Sequence, residues 1–294
     1  MLRRRNPRRA CPWLLLTLLL ATAQAQTPLP PATSEAKVLF DQILTLEATP
    51  RGGRILVRDR AGKTTRIVEA GAGLTALRHA EVRDFTLTRD GLLAIAFHAI
   101  LPMGASARYL GLYPLTGPPR LLPLDDIVCQ RLAADDLTGI WCIGRGRDQG
   151  IAHRLAGERA GRWSLTAPKG ITLDGLPQLF SSDPGVLQAW LPAAATLVQW
   201  DTITGEARLR PVPLPPDHAL TSLAVTPNAA LLALLPLRAD NEPERLDTPY
   251  ALFTLQPNQQ WQRLPNTPTW PRGAALAGPN AIWNRLARRI DWLP

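Results

Sequence analysis

A short strand–turn–strand signature recurs about every forty-odd residues along most of this chain, and no other feature limits its fold as much. It is clearest from Asp84 to Phe97, where two apolar strands flank the turn residues Arg89, Asp90 and Gly91. It returns from Leu223 to Leu234, and more loosely over Gln130–Cys142, Gln178–Trp190 and Gly273–Trp283. Short strands repeated at this period predict a β-propeller, in which four-stranded antiparallel meanders stack around an axis. The expected fold class is all-β, a single β-propeller of six blades, with seven or five as the alternatives.

The second unit sets the register. Its strands are expected at Val82–Thr88, Leu92–Ala99, Arg108–Leu115 and Arg120–Leu124. The third unit runs Val128–Thr166, the fourth Gln178–Pro213 and the fifth Leu220–Leu264. Near the N-terminus, a strand at Ile43–Ala48 precedes a hairpin over Arg54–Val68 with Gly62 in its turn. The C-terminus offers only Gly273–Ala277, Ala281–Trp283 and Arg289–Trp292, one strand short of a blade. Lys37–Phe40 is expected to supply it, closing the ring as an N-terminal strand in the last blade and removing an exposed sheet edge.

The segment Leu197–Leu209 resembles the outer hairpin of WD40-type repeats, with Trp200 and Asp201 on the strand and Thr204 and Gly205 in the turn. The repeat pattern resembles the WD40 and TolB-like propeller group over nearly the whole mature chain. The TolB resemblance implies a periplasmic protein partner engaged on one face of the ring. No counterpart of TolB's additional N-terminal domain is read in this chain.

Residues 1–25 read as a secretory signal peptide. Arg3, Arg4, Arg5, Arg8 and Arg9 form a basic leader, Pro12 to Ala23 an apolar run, and Ala23 and Ala25 the small residues before a cut that leaves Gln26 first. The apolar run is shorter than the roughly 20 residues a membrane-spanning helix needs, so no anchor is expected after cleavage; an uncleaved anchor is the competing reading. The leader's five arginines and no acid account for five of the nine formal positive charges, leaving +4 on the mature chain. The remaining basic residues are scattered, which argues against nucleic-acid binding. Residues 26–34 are Pro-rich and read as a flexible lead-in, and 35–294 as one propeller domain. The compartment is periplasmic or extracellular, and a monomer is expected.

Two cysteines remain after the leader is removed, Cys129 and Cys142. An even count in an oxidising compartment favours a disulfide. If Val128–Ala133 and Thr138–Ile143 form a hairpin turning at Asp135 and Asp136, the two lie directly opposite each other. Opposed residues in antiparallel strands hold their Cβ atoms about 4.5–5.5 Å apart, near the roughly 3.5–4.5 Å of a disulfide. A metal site would need more ligands than the nearby His153 supplies.

Familiar catalytic motifs do not occur: no nucleophile elbow, P-loop, His-Glu-x-x-His or calcium loop. His79, His98, His153 and His218 share no local motif, although His79 and His218, in predicted loops, are candidates to meet near the axis in a metal site. Trp141, Trp190 and Trp283 sit where Phe97 sits in the second unit. They read as blade-to-blade packing, with an aromatic ligand platform as the alternative. Asp135 and Asp136 read as turn residues.

The loops on one side of the ring carry the candidate partner-binding face. Asp125 and Asp126 lie between the second and third units, Arg145, Arg147 and Asp148 in a glycine-rich loop, and Arg238, Asp240, Glu242, Glu244 and Arg245 in the long loop Leu237–Pro249. No catalytic residue, metal ligand or cofactor is assigned. The expected function is a protein-binding or assembly module of the bacterial envelope. The alternative is a metal-dependent propeller hydrolase, lactonase-like, with an axial site.

Overall fold

A computed structural model describes residues 25–135, 139–145, 150–156, 164–166, 178–183, 185–215, 220, 222–226, 228–238 and 245–293. The expected signal segment, except Ala25, lies outside these residues, as do Asp136 and His218.

The described residues form short antiparallel strands joined by turns. After β1 (Gln26–Pro28), a first meander comprises β2 (Thr33–Leu39), β3 (Gln42–Thr49), β4 (Gly52–Arg58) and β5 (Thr64–Glu69). A second comprises β6 (His79–Leu87), β7 (Leu93–Ile100), β8 (Ser106–Tyr113) and β9 (Arg120–Pro123). The next sheet holds β10 (Val128–Ala134), β11 (Ile140–Arg145), β12 (Gly150–Ala156) and β13 (Ser164–Thr166). Another holds β14 (Gln178–Asp183), β15 (Val186–Leu191), β16 (Thr196–Asp201) and β17 (Ala207–Pro211). Then come β18 (Leu223–Val225), β19 (Leu231–Pro236), β20 (Tyr250–Leu255) and β21 (Trp261–Arg263). The last sheet contains β22 (Ala275–Gly278), β23 (Ala281–Asn284) and β24 (Arg289–Trp292), with β1 as its fourth strand.

This is a single all-β propeller, and its sheet count corrects the sequence expectation. Instead of six separate blades there are four discrete four-stranded sheets and one eight-stranded sheet. The eight-stranded sheet is the first two meanders, joined by a single parallel bridge between Gly52 and Ala80. Gly52 makes that bridge possible. Its φ is +122°, and a Cβ there would collide with the Ala80 carbonyl.

The strand joining the two ends is also not the expected one. Lys37–Leu39 belongs to β2 and pairs with β3 in its own meander, and Phe40 sits in the turn that follows. Gln26–Pro28, within the expected lead-in, forms β1 and pairs antiparallel with β24. Thr27 locks the pairing. Its hydroxyl donates to the Arg60 carbonyl oxygen at 2.6 Å and accepts from the Trp292 indole N–H at 2.9 Å.

Burial follows strand position within a sheet. The second strands β7, β19 and β23 are apolar and almost wholly buried, because both of their faces meet neighbouring sheets. The outermost strand β17, Ala-Arg-Leu-Arg-Pro, is exposed throughout, and its charges blunt a free edge. Apolar clusters fill the boundaries between successive meanders. Phe85, Ile95 and Phe97 pack against Leu44 and Ile55, Trp141 against Leu187 and Trp200, and Trp190 against Leu223 and Leu231. The last sheet meets the first meander through Trp283 and Trp292 against Val38 and Ile43. Each such ring, fully buried, contributes about 1.5–3 kcal/mol. Trp141, Trp190 and Trp283 are thus packing residues, not an exposed platform.

Cys129 and Cys142 form the expected disulfide, with Cα atoms 5.6 Å apart. The register differs from the expectation. Cys142 faces Leu132 and Cys129 faces Gly144, with a β-bulge between Cys129 and Arg131. Along the regular part of the ladder, Gly144 would face Gln130 and Cys129 would point to the opposite side of the sheet from Cys142. The extra residue turns Cys129 onto the Cys142 side. Gly144 permits this, since a Cβ there would strike the Val128 carbonyl oxygen.

Candidate functional site

The innermost strands β2, β6, β10, β14, β18 and β22 are the first strands of their meanders, and several of them contact one another around the axis. Four carry a polar residue at a common spacing: Lys37, Asp84, Arg131 and Gln178, each 47 positions after the last. The side chains of three reach the next innermost strand. Lys37 Nζ ion-pairs with Asp84 and donates to the Phe85 carbonyl oxygen at 2.9 Å. Asp84 Oδ2 accepts the Leu132 backbone N–H at 2.7 Å. Gln178 Oε1 accepts the Leu223 N–H at 2.9 Å. Arg131 breaks the pattern and donates to the carbonyl oxygen of its own neighbour, Gln130, at 3.0 Å.

Glu35 lies two residues before Lys37 on β2, toward the edge where innermost strands begin. Burial raises its carboxyl above the ordinary range. Lys37 opposes that shift, Asp84 adds to it, and Arg131 and Arg285 oppose it. Arg285 comes from the β23–β24 turn and lies over the Trp283 ring, 4.8 Å from its centroid. Glu35 thus feels the charges of Lys37, Asp84, Arg131 and Arg285.

In an antiparallel meander, connections between second and third strands leave on the same edge as those between fourth and first. Asp125 and Asp126 are exposed in the bend between β9 and β10, with the Asp125 carbonyl oxygen accepting from Arg108 at 3.0 Å. Arg145 ends β11, Arg238 follows β19 half-buried, and Arg245 is exposed before β20. These five share one edge. Arg147, Asp148, Asp240, Glu242 and Glu244 lie outside the described residues. The long loop is closed at its base by Leu237 N–H donating to the Pro249 carbonyl at 2.7 Å.

The same edge carries three side chains that sequence reasoning missed: Met103, Leu246 and Leu286, at 98, 86 and 79 % exposure. They occupy the β7–β8, β19–β20 and β23–β24 connections. Arg51, Arg78, Arg272 and Arg288 are exposed on this edge as well. The axial residues were missed too. Their signal was the constant 47-residue spacing of Lys37, Asp84, Arg131 and Gln178.

His218 lies outside the described residues, and with it the expected meeting of His79 and His218 near the axis. His79 opens β6 rather than lying in a loop, His98 is in β7, and His153 is buried in β12 opposite Cys142. Among the described residues no group of three or more His, Cys, Asp or Glu side chains is placed to hold a metal ion. Asp135 is a turn residue: its carboxylate accepts the Gly139 N–H and the Trp141 indole N–H, both at 2.6 Å.

No family model matches the chain, and no curated protein does. Solved structures that superpose on it include the Cps50 (Swd1) β-propeller domain of Myceliophteria thermophila, at 12 % identity and a TM-score of 0.49, covering 90 % of this chain and 98 % of that one. An auxiliary nutrient binding protein from Bacteroides ovatus gives 11 % identity and a TM-score of 0.49 over 90 and 71 % of the two chains. A luciferin-regenerating enzyme gives 17 % identity and a TM-score of 0.48 over 79 and 80 %.

Proposed function

We propose that this chain is an exported propeller serving as a protein-binding or assembly module of the bacterial envelope. One observation carries the proposal. The three most exposed large apolar side chains of the described structure stand on the same edge, which also carries the exposed Arg51, Arg78, Arg272 and Arg288. Exposed apolar side chains framed by arginine are the composition of an interface core. Asp125, Asp126, Arg238 and Arg245 belong to the polar rim of this surface. The disulfide and the leader-like residues 1–25 support an oxidising compartment outside the cytoplasm.

The test is site-specific photo-crosslinking in the periplasm of a Gram-negative host. A crosslinker at Leu246 or Leu286 is expected to capture one envelope protein that a crosslinker at Leu115 or Ile203, exposed on the opposite edge, does not. Equal capture from both edges refutes the assignment. N-terminal sequencing of the exported protein is expected to begin at Gln26.

A further inference from the structure

Charge is segregated along the edge that carries Leu246 and Leu286. Over the last sheet and the first meander, the connections on this edge are residues 29–32, 50–51, 70–78, 264–274 and 285–288. They hold Arg51, Arg78, Arg272, Arg285 and Arg288, all exposed, and no Asp, Glu or Lys. The connections are neighbours in space. The Arg51 carbonyl oxygen accepts the N–H of Ala80, two residues after Arg78, at 2.9 Å, and the Arg288 carbonyl oxygen accepts the Leu29 N–H at 2.7 Å. The last sheet packs against β2, which brings the two groups side by side. Among the described residues no carboxylate lies at ion-pair distance from Arg51, Arg78, Arg285 or Arg288. Glu35 on β2 and Glu69 at the end of β5 are opposing charges on the strands, while Glu47 is held by Arg54 and Arg58 and Glu81 by Arg83. Leu286, 79 % exposed, stands between Arg285 and Arg288. Elsewhere the same edge exposes Asp125, Asp126 and Asp247.

We propose that this basic sector binds an acidic polypeptide segment, a run of Asp or Glu carrying an apolar residue that seats on Leu286. The inference rests on the partner-binding reading and gives the partner its chemistry. Guanidinium groups present paired N–H donors that match the two oxygens of a carboxylate. Leu286 calls for an apolar counterpart, which a nucleic acid or a sulfated glycan does not bring. An anionic bilayer would cover the whole edge and press Asp125, Asp126 and Asp247 against like charge. A narrow acidic segment follows the basic sector alone. Charge steers its approach, and Leu286 supplies the contact from which water is excluded.

The test is fluorescence polarisation with the purified, oxidised protein and a labelled peptide, Glu-Glu-Leu-Glu-Glu-Leu-amide. Counterparts with Gln for Glu and with Ser for Leu are measured beside it, and vesicles of phosphatidylcholine with phosphatidylglycerol in a co-sedimentation assay. The acidic peptide is expected to bind, and the Gln counterpart at least about tenfold more weakly. Raising the salt from about 0.1 M to about 1 M shortens the screening length from about 10 to about 3 Å and is expected to weaken binding about tenfold. Arg285→Gln with Arg288→Gln is expected to weaken it about tenfold, and Arg51→Gln with Arg78→Gln likewise. Leu286→Ser is expected to cost the acidic peptide about fivefold and the Ser counterpart nothing. Lys63→Gln, on the opposite edge, is expected to change nothing. Absence of peptide binding, equal binding of the Glu and Gln peptides, or unchanged affinity in the Arg285, Arg288 double variant overturns the proposal. Vesicle binding that depends on the same arginines overturns it in favour of a membrane surface. Crosslinked capture at Leu246 without peptide binding refutes the acidic partner and leaves the interface; peptide binding without capture supports the basic sector and refutes the envelope role. The substituted side chains are exposed, so the variants are expected to keep the fold, which melting curves check.

Discussion

Replacing Asp84 by alanine tests whether the axial pairs hold the ring together. Asp84 is 1 % exposed and serves two partners on two neighbouring innermost strands, the Lys37 ammonium and the Leu132 N–H. Alanine leaves the Leu132 N–H buried without its acceptor, a loss of about 1–3 kcal/mol. It also leaves Lys37, only 23 % exposed, without its counter-charge. Breaking a buried pair from one side costs about 3–5 kcal/mol in all. For a domain of this size that lowers the melting temperature by about 10 °C. Asp84→Asn keeps an acceptor for Leu132 and is expected to lose about half as much. The double variant Lys37→Met, Asp84→Ala is expected to lose less than the sum of its single changes, because no charge is then stranded. Urea unfolding followed by tryptophan fluorescence measures the wild type, the single variants Asp84→Ala, Asp84→Asn and Lys37→Met, and the double variant. A loss below about 1 kcal/mol for Asp84→Ala, or additivity of the two changes, refutes the staple.

Gly144→Ala places a Cβ against the Val128 carbonyl and opposes the bulge that turns Cys129 toward Cys142. Mass spectrometry is expected to show free thiols in a fraction of the exported variant, whereas wild type shows none. Its stability is expected to fall by up to the about 3 kcal/mol that closing so short a loop contributes. Thr27→Val leaves the Trp292 indole N–H buried without its acceptor, and a loss of about 1–3 kcal/mol is expected by the same urea assay. Tyr113 is buried, and its hydroxyl accepts the Gly71 N–H at 2.9 Å. Burial pushes its pKa up to about 12, against 10 for an exposed tyrosine. The neutral phenol is thus the form the fold favours. Its stabilisation is complete below pH 10 and lost as pH rises toward 12. Tyr113→Phe is expected to flatten that alkaline loss in melting curves taken between pH 9 and 12.

Much of the fold was legible because a propeller writes its period into the chain. The turn at Arg89, Asp90 and Gly91 between two apolar strands located β6 and β7 to within a few residues. The disulfide followed from cysteine count and proximity. Its register did not, because the bulge depends on backbone packing of Gly144 against Val128, which no side-chain pattern announces. The candidate site was less legible. Asp84 carries no signal of its own within its strand, and its role appears only with its partners on β2 and β10. Met103, Leu246 and Leu286 sit in separate loops, and only their shared edge gives them meaning.

The amino-acid sequence by itself determined that short strands would repeat, that buried second strands would alternate with polar outer ones, and that two cysteines would pair. These are local properties of hydrophobic pattern and turn chemistry. Tertiary structure alone decided which strand joins the ends. Gln26–Pro28 has no strand pattern of its own, and its pairing is set by β24 and by Trp292, 265 residues from Thr27. It alone decided that two meanders share a sheet through Gly52 and Ala80. It also set Lys37 of β2 against Asp84 of β6, and Asp84 against Leu132 of β10. Contacts across such separations arise only when the ring assembles, because each is made by residues whose local surroundings leave them indifferent to one another.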